Sequence, residues 1–130
     1  MDIQSVDHLV LTVKDIDASI SFYCGVLGMQ HITFGPKDKK QRHALKFGSQ
    51  KINLHQADNI FQPAANTPTP GSADLCFIVK TTLEKTIHVL KENNIEIIEG
   101  PIERTGASNK IISIYVRDPD LNLIELSNFL

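Results

Sequence analysis

The chain has 130 residues, a mass of 14.5 kDa and a formal net charge of −2, with 42% hydrophobic and 22% charged residues. This balance excludes a disordered chain, and the lack of a basic stripe argues against binding of nucleic acid. No apolar run approaches the roughly 18 residues of a membrane span, and residues 1–5 lack the pattern of a secretion signal. We therefore expect one cytoplasmic globular domain without membrane contact, in which Cys24 and Cys76 are buried, reduced thiols.

The first half of the chain predicts the element order β-α-β-β-β. Residues 6–13 are rich in β-branched side chains and predict a strand. Asp15 or Asp17 can then cap a helix that ends near Gly28, which suits the left-handed conformation beyond a helix. Three shorter strands are predicted to follow, over Met29 to Phe34, Arg42 to Phe47 and Lys51 to Gln56.

The second half predicts the same order, so the chain contains an internal repeat. Ala73 to Val79 predicts a strand, and Thr81 with Glu84 forms a capping box for the next helix. Further strands are predicted over Glu96 to Ile98, Lys110 to Val116 and Asn122 to Ser127. The prediction is an α+β fold of two paired βαβββ modules, residues 1–57 and 73–130, joined by a proline-containing linker over residues 58–72.

Overlaying the two halves aligns four side chains that can bind a metal ion. Because strand side chains alternate between faces, His8 and Asp74 lie opposite the apolar face of their strands. The overlay pairs His8 with Asp74, and His55 with Glu125. Two imidazoles and two carboxylates suit a divalent ion of nickel, zinc, manganese, iron or cobalt and leave coordination sites for a substrate. The other histidines are predicted to be ordinary hydrogen-bonded residues: His31, His43 and His88.

Three segments resemble the vicinal oxygen chelate superfamily, which includes glyoxalase I, fosfomycin-resistance proteins, extradiol dioxygenases and bleomycin-binding proteins. They are Val6 to Val13, Phe22 to Met29 and Tyr115 to Leu126. The resemblance runs along the whole chain. It looks closest to the subgroup of glyoxalase domain-containing protein 5, through residues 53–55, 70–75 and 100–107.

The resemblance implies that the paired modules form a cup-shaped sheet with a metal ion at its floor. By position, the family's metal ligands fall on His8, His55, Asp74 and Glu125. In small dimeric members the two modules of one site come from different chains. We therefore expect a homodimer in which His8 and His55 of one chain meet Asp74 and Glu125 of the other.

The chain also departs from glyoxalase I. His55 stands where glyoxalase I usually has Glu or Gln, and Asp74 stands where it has His. Leu121 stands where many relatives have Gly. No clear match to the residues that grip glutathione is present, so a retained metal set with a different substrate is expected.

The favoured function is a metal-dependent lyase or isomerase of the glyoxalase I kind. Its substrate would be a small molecule, or a thiol adduct, that binds the metal through adjacent oxygens. Glu125 would act as ligand and base. Arg104, in a predicted loop from Glu99 to Lys110, would hold a substrate carboxylate, and Lys51 and Asn53 would line the cup.

Two other functions stay open. One is a thiol transferase acting on an epoxide antibiotic, as in fosfomycin resistance. The other is a metal-free small-molecule binding module like the bleomycin binders. A dioxygenase is less favoured, since a second carboxylate ligand would crowd the sites that oxygen needs.

Overall fold

The computed structural model describes residues 1–130, which form two compact units, Met1–Pro70 and Gly71–Leu130. Each unit contains a four-stranded sheet with its helix inserted after the first strand. The α+β class and the two βαβββ modules are therefore confirmed. None of the helices combines the length and apolar character needed to cross a bilayer.

The first unit contains the strands β1 (His8–Val13), β2 (Gln30–Phe34), β3 (Arg42–Phe47) and β4 (Gln50–Gln56). Their order in the sheet is β1-β4-β3-β2, with β1 and β4 parallel and the other neighbours antiparallel. The helix α1 (Ile16–Ile20) continues into a π-helical segment, Ser21–Val26. Asp15 caps α1 by accepting a hydrogen bond from the backbone N–H of Ala18 at 3.2 Å, as one of the two predicted caps.

The second unit contains the strands β5 (Asp74–Ile78), β6 (Glu99–Thr105), β7 (Lys110–Arg117) and β8 (Leu123–Phe129). They repeat the order of the first sheet as β5-β8-β7-β6, and β5 and β8 are parallel. The helix α2 (Leu83–Glu92) is capped by Thr82, whose hydroxyl accepts a hydrogen bond from the Lys85 N–H. The predicted capping box of Thr81 and Glu84 is therefore wrong by one residue.

The strand predicted at Glu96 to Ile98 and the loop predicted from Glu99 to Lys110 are both wrong. The strand β6 starts at Glu99 and pairs with β7, and only residues 106–109 form the turn between them. The register shifts between Glu99 and Ile102. Such an irregularity breaks the alternation of side chains on which a sequence reading depends. Arg104 consequently lies on a strand.

Each sheet has one face covered by apolar packing and one face that we call its open face. Leu11, Val13 and Ile52 are buried on the covered face of the first unit. On the open faces, Val10 of the first unit is 43% exposed and Ile78 of the second unit is 47% exposed. Cys76 also lies on an open face and is exposed, while Cys24 is half-buried, so the prediction of two buried thiols is wrong.

One buried carboxylate organises the turn before β8. Asp118 is 3% exposed, and its Oδ1 accepts hydrogen bonds from the N–H groups of Asp120 and Asn122, both at 2.9 Å. Its Oδ2 accepts a third from the Asn122 side-chain amide at 2.7 Å. The Asn122 Oδ1 in turn accepts a hydrogen bond from the Ala73 N–H at 2.8 Å. These bonds tie the start of β8 to the start of β5.

Replacing Asp118 with alanine is expected to lower the free energy of unfolding by about 2–4 kcal/mol, since three buried donors lose their acceptor. Urea unfolding followed by circular dichroism measures this change. Asp38→Ala, in an exposed turn, is the control and should change stability by no more than about 0.5 kcal/mol. Equal effects of the two substitutions would contradict a structural role for the Asp118 carboxylate.

Leu121 occupies a backbone conformation that favours glycine, because its φ is 70°. Its side chain is 68% exposed, so little packing offsets the strain of about 1–2 kcal/mol. Leu121→Gly is therefore expected to raise the unfolding free energy by about 0.5–1 kcal/mol after the entropy of glycine in the unfolded chain is subtracted. Leu121→Ala keeps the Cβ atom and should show no such gain in the same urea titration.

Candidate functional site

The strand register corrects the predicted pairing of His55 with Glu125. In the second unit, Glu125 lies opposite the third residue of β5. In the first unit, the residue opposite the third residue of β1 is Asn53, whereas His55 lies opposite the fifth. His55 therefore corresponds to Ser127, and Asn53 corresponds to Glu125. The sequence overlay of β4 on β8 was therefore shifted by two residues. A shift of two residues leaves every side chain on the same face, so the alternation of side chains cannot reveal it.

The register also determines which predicted ligands lie together. His8 is opposite Lys51, so His55 lies four residues further along, or about 13 Å at roughly 3.3 Å per residue. Asn53 lies only two residues along, on a diagonal of about 8 Å from His8 between neighbouring Cα positions. Asp74 and Glu125 are related by the same diagonal in the second unit. Each sheet thus brings one pair of polar side chains together, and His55 lies outside the first pair.

The pair in the first unit, His8 and Asn53, offers two possible metal ligands. The Nδ1 of His8 is 2.7 Å from the Asp7 carboxylate, which leaves Nε2 available for another partner. Asn53 is 5% exposed, and its buried Oδ1 has no hydrogen-bond partner. No three His, Cys, Asp or Glu side chains of the chain form a group that could hold a metal ion. Each unit therefore offers only two possible metal ligands on this diagonal, and a metal ion would need further ligands.

His55 belongs to a different group of side chains. It is 5% exposed, its Nε2 is buried without a hydrogen-bond partner, and its ring centroid is 6.2 Å from that of Phe61. Burial, followed by the positive charge of Arg42, lowers the pKa of His55. Arg42 stacks on both Phe61 and Phe34, and Lys51 lies over Phe34. Sequence reasoning missed Phe34, Arg42 and Phe61, and Phe61 lies in the segment predicted to be a linker.

A cavity of about 510 Å³ opens on the open face of the second unit. Glu125 lines this cavity, and its Oε1 is buried without a hydrogen-bond partner. Arg104 also lines the cavity. Its Nε donates to the Tyr115 hydroxyl at 3.0 Å, and its Nη2 donates to Glu99 at 3.2 Å. The predicted carboxylate holder Arg104 is therefore already paired with a carboxylate. Other side chains of the lining are Cys76, Ile78, Ile111 and Phe129.

Two side chains of this cavity, Tyr115 and Cys76, have raised pKa values. Burial raises the pKa of the Tyr115 hydroxyl, the hydrogen bond from Arg104 opposes this, and the charge of Glu125 raises it further. Partial burial likewise raises the pKa of the Cys76 thiol, which lies 3.4 Å from the Ser127 hydroxyl. A protonated thiol is a poor nucleophile, so the raised pKa makes Cys76 a weak nucleophile at neutral pH.

The remaining histidines have the ordinary roles that were predicted. The rings of His31 and His43 stack, and their Nε2 and Nδ1 atoms are 2.9 Å apart. His88 lies 3.1 Å from Glu92 on the exposed side of α2. Each of the three side chains thus has a polar partner within the protein.

Comparison with known proteins gives consistent matches over nearly the whole chain. The chain is 54% identical over 129 residues to Virulence protein STM3117 of Salmonella typhimurium, covering 99% of this chain and 87% of that protein. The crystal structure of that protein has a TM-score of 0.94 to this one, over 100% of both chains.

Two further relatives carry other names. Glyoxalase domain-containing protein RDO1 of Mycosarcoma maydis is 50% identical, over 99% of this chain and 70% of that protein. Metallothiol transferase FosB of Staphylococcus epidermidis is 31% identical, over 97% of this chain and 82% of that protein. The predicted likeness to the subgroup of glyoxalase domain-containing protein 5 stays a prediction.

The family model for the whole fold also matches. Residues 5–126 fit the model described as Glyoxalase/Bleomycin resistance protein/Dioxygenase superfamily. This range includes all eight strands apart from the last residues of β8. The chain therefore belongs to the glyoxalase/bleomycin resistance protein/dioxygenase superfamily, which is the vicinal oxygen chelate superfamily.

Proposed function

We propose that this protein is a divalent-metal-dependent lyase or isomerase of the glyoxalase I kind, acting on a small substrate that presents two adjacent oxygens. The observation that carries the proposal is the Glu125 carboxylate, which lines the cavity with one buried oxygen unpaired. Burying an oxygen without a hydrogen-bond partner costs free energy. Such an oxygen therefore suggests that Glu125 binds a ligand or takes part in a proton transfer. Members of the superfamily commonly use divalent metals, which agrees with this reading.

The donors present fit such an ion. The Asp7 carboxylate holds His8 through Nδ1, an arrangement that is common for histidines whose other nitrogen binds metal. Asn53 and Glu125 each have a buried oxygen without a hydrogen-bond partner. We propose that His8 and Asn53 of one chain act with Asp74 and Glu125 of the partner subunit in a homodimer, with Asn53 in the place predicted for His55.

The metal is an ion of nickel, zinc, manganese, iron or cobalt, the set that mixed nitrogen and oxygen ligands accept. When bound, it supplies Lewis-acid stabilisation of negative charge on the substrate oxygens.

The side chains of the cavity supply the proton chemistry. In this proposal Glu125 removes a proton from one substrate carbon and returns it to the adjacent carbon. The Tyr115 phenol, with its raised pKa, stays protonated at neutral pH and can donate a hydrogen bond to a developing oxyanion. Arg104 orients that phenol through its hydrogen bond to the Tyr115 oxygen. The cavity thus pairs a base with a neutral acid.

A thiol transferase is the second candidate, because the relative at 31% identity is named Metallothiol transferase FosB and matches 97% of the chain. The same donors would hold the metal in that case. The thiol would come from a separate small molecule, since the pKa of Cys76 is raised. The two functions differ in their product. The lyase or isomerase gives an isomerised adduct, whereas the transferase opens the epoxide to a hydroxyl group and a thioether.

The first prediction of this proposal concerns metal binding. His8→Ala and Asn53→Ala are expected to weaken Mn²⁺ binding by about tenfold or more, whereas His55→Ala should leave it near that of the parent protein. Titration of chelator-treated protein with Mn²⁺, followed by electron paramagnetic resonance, gives the affinities. Loss in His55→Ala with retention in Asn53→Ala would instead support the predicted ligand His55. If the parent protein binds none of Mn²⁺, Ni²⁺ and Zn²⁺, the result would favour a metal-free binding module.

The second prediction concerns turnover. Glu125→Gln is expected to lower kcat/KM by about 10²–10⁴-fold, because the amide cannot accept the proton. The assays use hemithioacetals of 2-oxoaldehydes with several thiols, and fosfomycin with the same thiols. Glu103→Gln, an exposed position on β6, is the matched control and should retain activity. Turnover of fosfomycin alone would favour the transferase, and an active Glu125→Gln protein would refute the role of base.

A further inference from the structure

The open face of the first unit carries a cluster that the proposed chemistry does not use. The guanidinium carbon of Arg42 is 3.9 Å from the ring centroid of Phe61 and 4.7 Å from that of Phe34. The Nζ atom of Lys51 is 4.1 Å from the Phe34 centroid. We call Phe34, Arg42, Lys51 and Phe61 the cationic clamp. Contact with aromatic faces stabilises these cations but does not neutralise them.

The cationic clamp contains no anion of its own. The ion pairs of the chain involve His8, His88 and Arg104, and neither Arg42 nor Lys51 takes part in one. The neighbouring positions on the same face carry no carboxylate, being His8, Val10, Thr12, Ala44, Lys46, Asn53 and His55. Two cations that share one aromatic ring repel each other without a counter-charge. The arrangement is therefore complementary to an anion.

The geometry of the clamp favours a planar anion. The rings of Phe34 and Phe61 restrict the orientation of the Arg42 guanidinium group. Its N–H groups make no hydrogen bond within the protein, whereas those of Arg104 do. The edge of a guanidinium presents two parallel donors that match the two oxygens of a carboxylate. The buried Nε2 of His55, next to Phe61, has no partner either.

We propose that the cationic clamp binds a carboxylate group of a small ligand, with Arg42 as the bidentate partner and Lys51 as a second positive charge. Phe61 acts as a positioning residue, since it contacts Arg42 and is itself 49% exposed. His8 and Asn53 occupy the same face. The clamp thus narrows the substrate of the proposed function to a carboxylate-bearing molecule; this narrowing rests on the proposed function, whereas the binding of a carboxylate does not.

The test measures the binding of benzoate to chelator-treated protein. Because the protein is free of metal, the result does not depend on metal binding. Calorimetric titration should show saturable binding of benzoate to the parent protein. Arg42→Gln and Lys51→Gln are each expected to weaken it by about 10-fold to 100-fold, as for the loss of a charge-assisted hydrogen bond. Arg42→Lys keeps the charge but loses the planar fork, and it should also bind more weakly than the parent.

Matched controls separate this site from general electrostatics. Lys37→Gln removes the same charge from an exposed turn outside the clamp and should bind benzoate like the parent. Thermal unfolding of each variant establishes that it is folded, and Lys51→Gln provides the result if Arg42→Gln is not. The proposal is overturned if the parent does not bind benzoate, if Lys37→Gln loses as much affinity, or if Arg42→Lys binds as well as the parent. Tighter binding of inorganic phosphate than of benzoate would overturn the assignment to a carboxylate.

Discussion

The parallel pairing of the first and last strand of each module is the constraint on which the candidate site depends. It sets which polar side chains of the open face stand on a common diagonal, since a parallel register shifted by two residues would move each ligand by about 6.6 Å. Side-chain amides pin this register at equivalent places. Gln50, just before the part of β4 that pairs with β1, donates to the Val6 carbonyl at 2.8 Å, and Asn122, just before β8, accepts from the Ala73 N–H. Asp118 then holds Asn122 through two hydrogen bonds.

The sequence allowed the faces of the strands to be predicted but not their register. Alternation in β1 and β5 correctly placed His8 and Asp74 away from the apolar face, because burial selects one side of a strand at every second residue. Because of the same period of two, Asn53 and His55 were equivalent choices for the counterpart of Glu125, and the overlay took His55 where the register gives Asn53. Only the hydrogen-bonded partners across the sheet distinguish them.

Irregular segments were the other source of error, for a related reason. The strand β6 carries a register shift near Gly100 and Pro101, so its sequence shows no clean alternation, and Arg104 was assigned to a loop. Phe61 lies two residues before Pro63 in a stretch with no periodic pattern, yet its ring packs on Arg42 and near His55. Contacts made by aperiodic segments depend on the path of the backbone in space, and local sequence patterns do not encode that path.

The two modules share a scaffold but differ in the charge of their open faces. The second carries Asp74 and Glu125, and its Arg104 is offset by Glu99. The first carries Arg42 and Lys51 without a carboxylate partner. In the proposed metal site two carboxylates balance the two charges of a divalent ion, and His8 and Asn53 add none. Such a centre has no net charge with which to attract an anionic substrate over a distance. In this proposal, Arg42 and Lys51 of the first module would attract the carboxylate of the substrate, and Glu125 would transfer the proton.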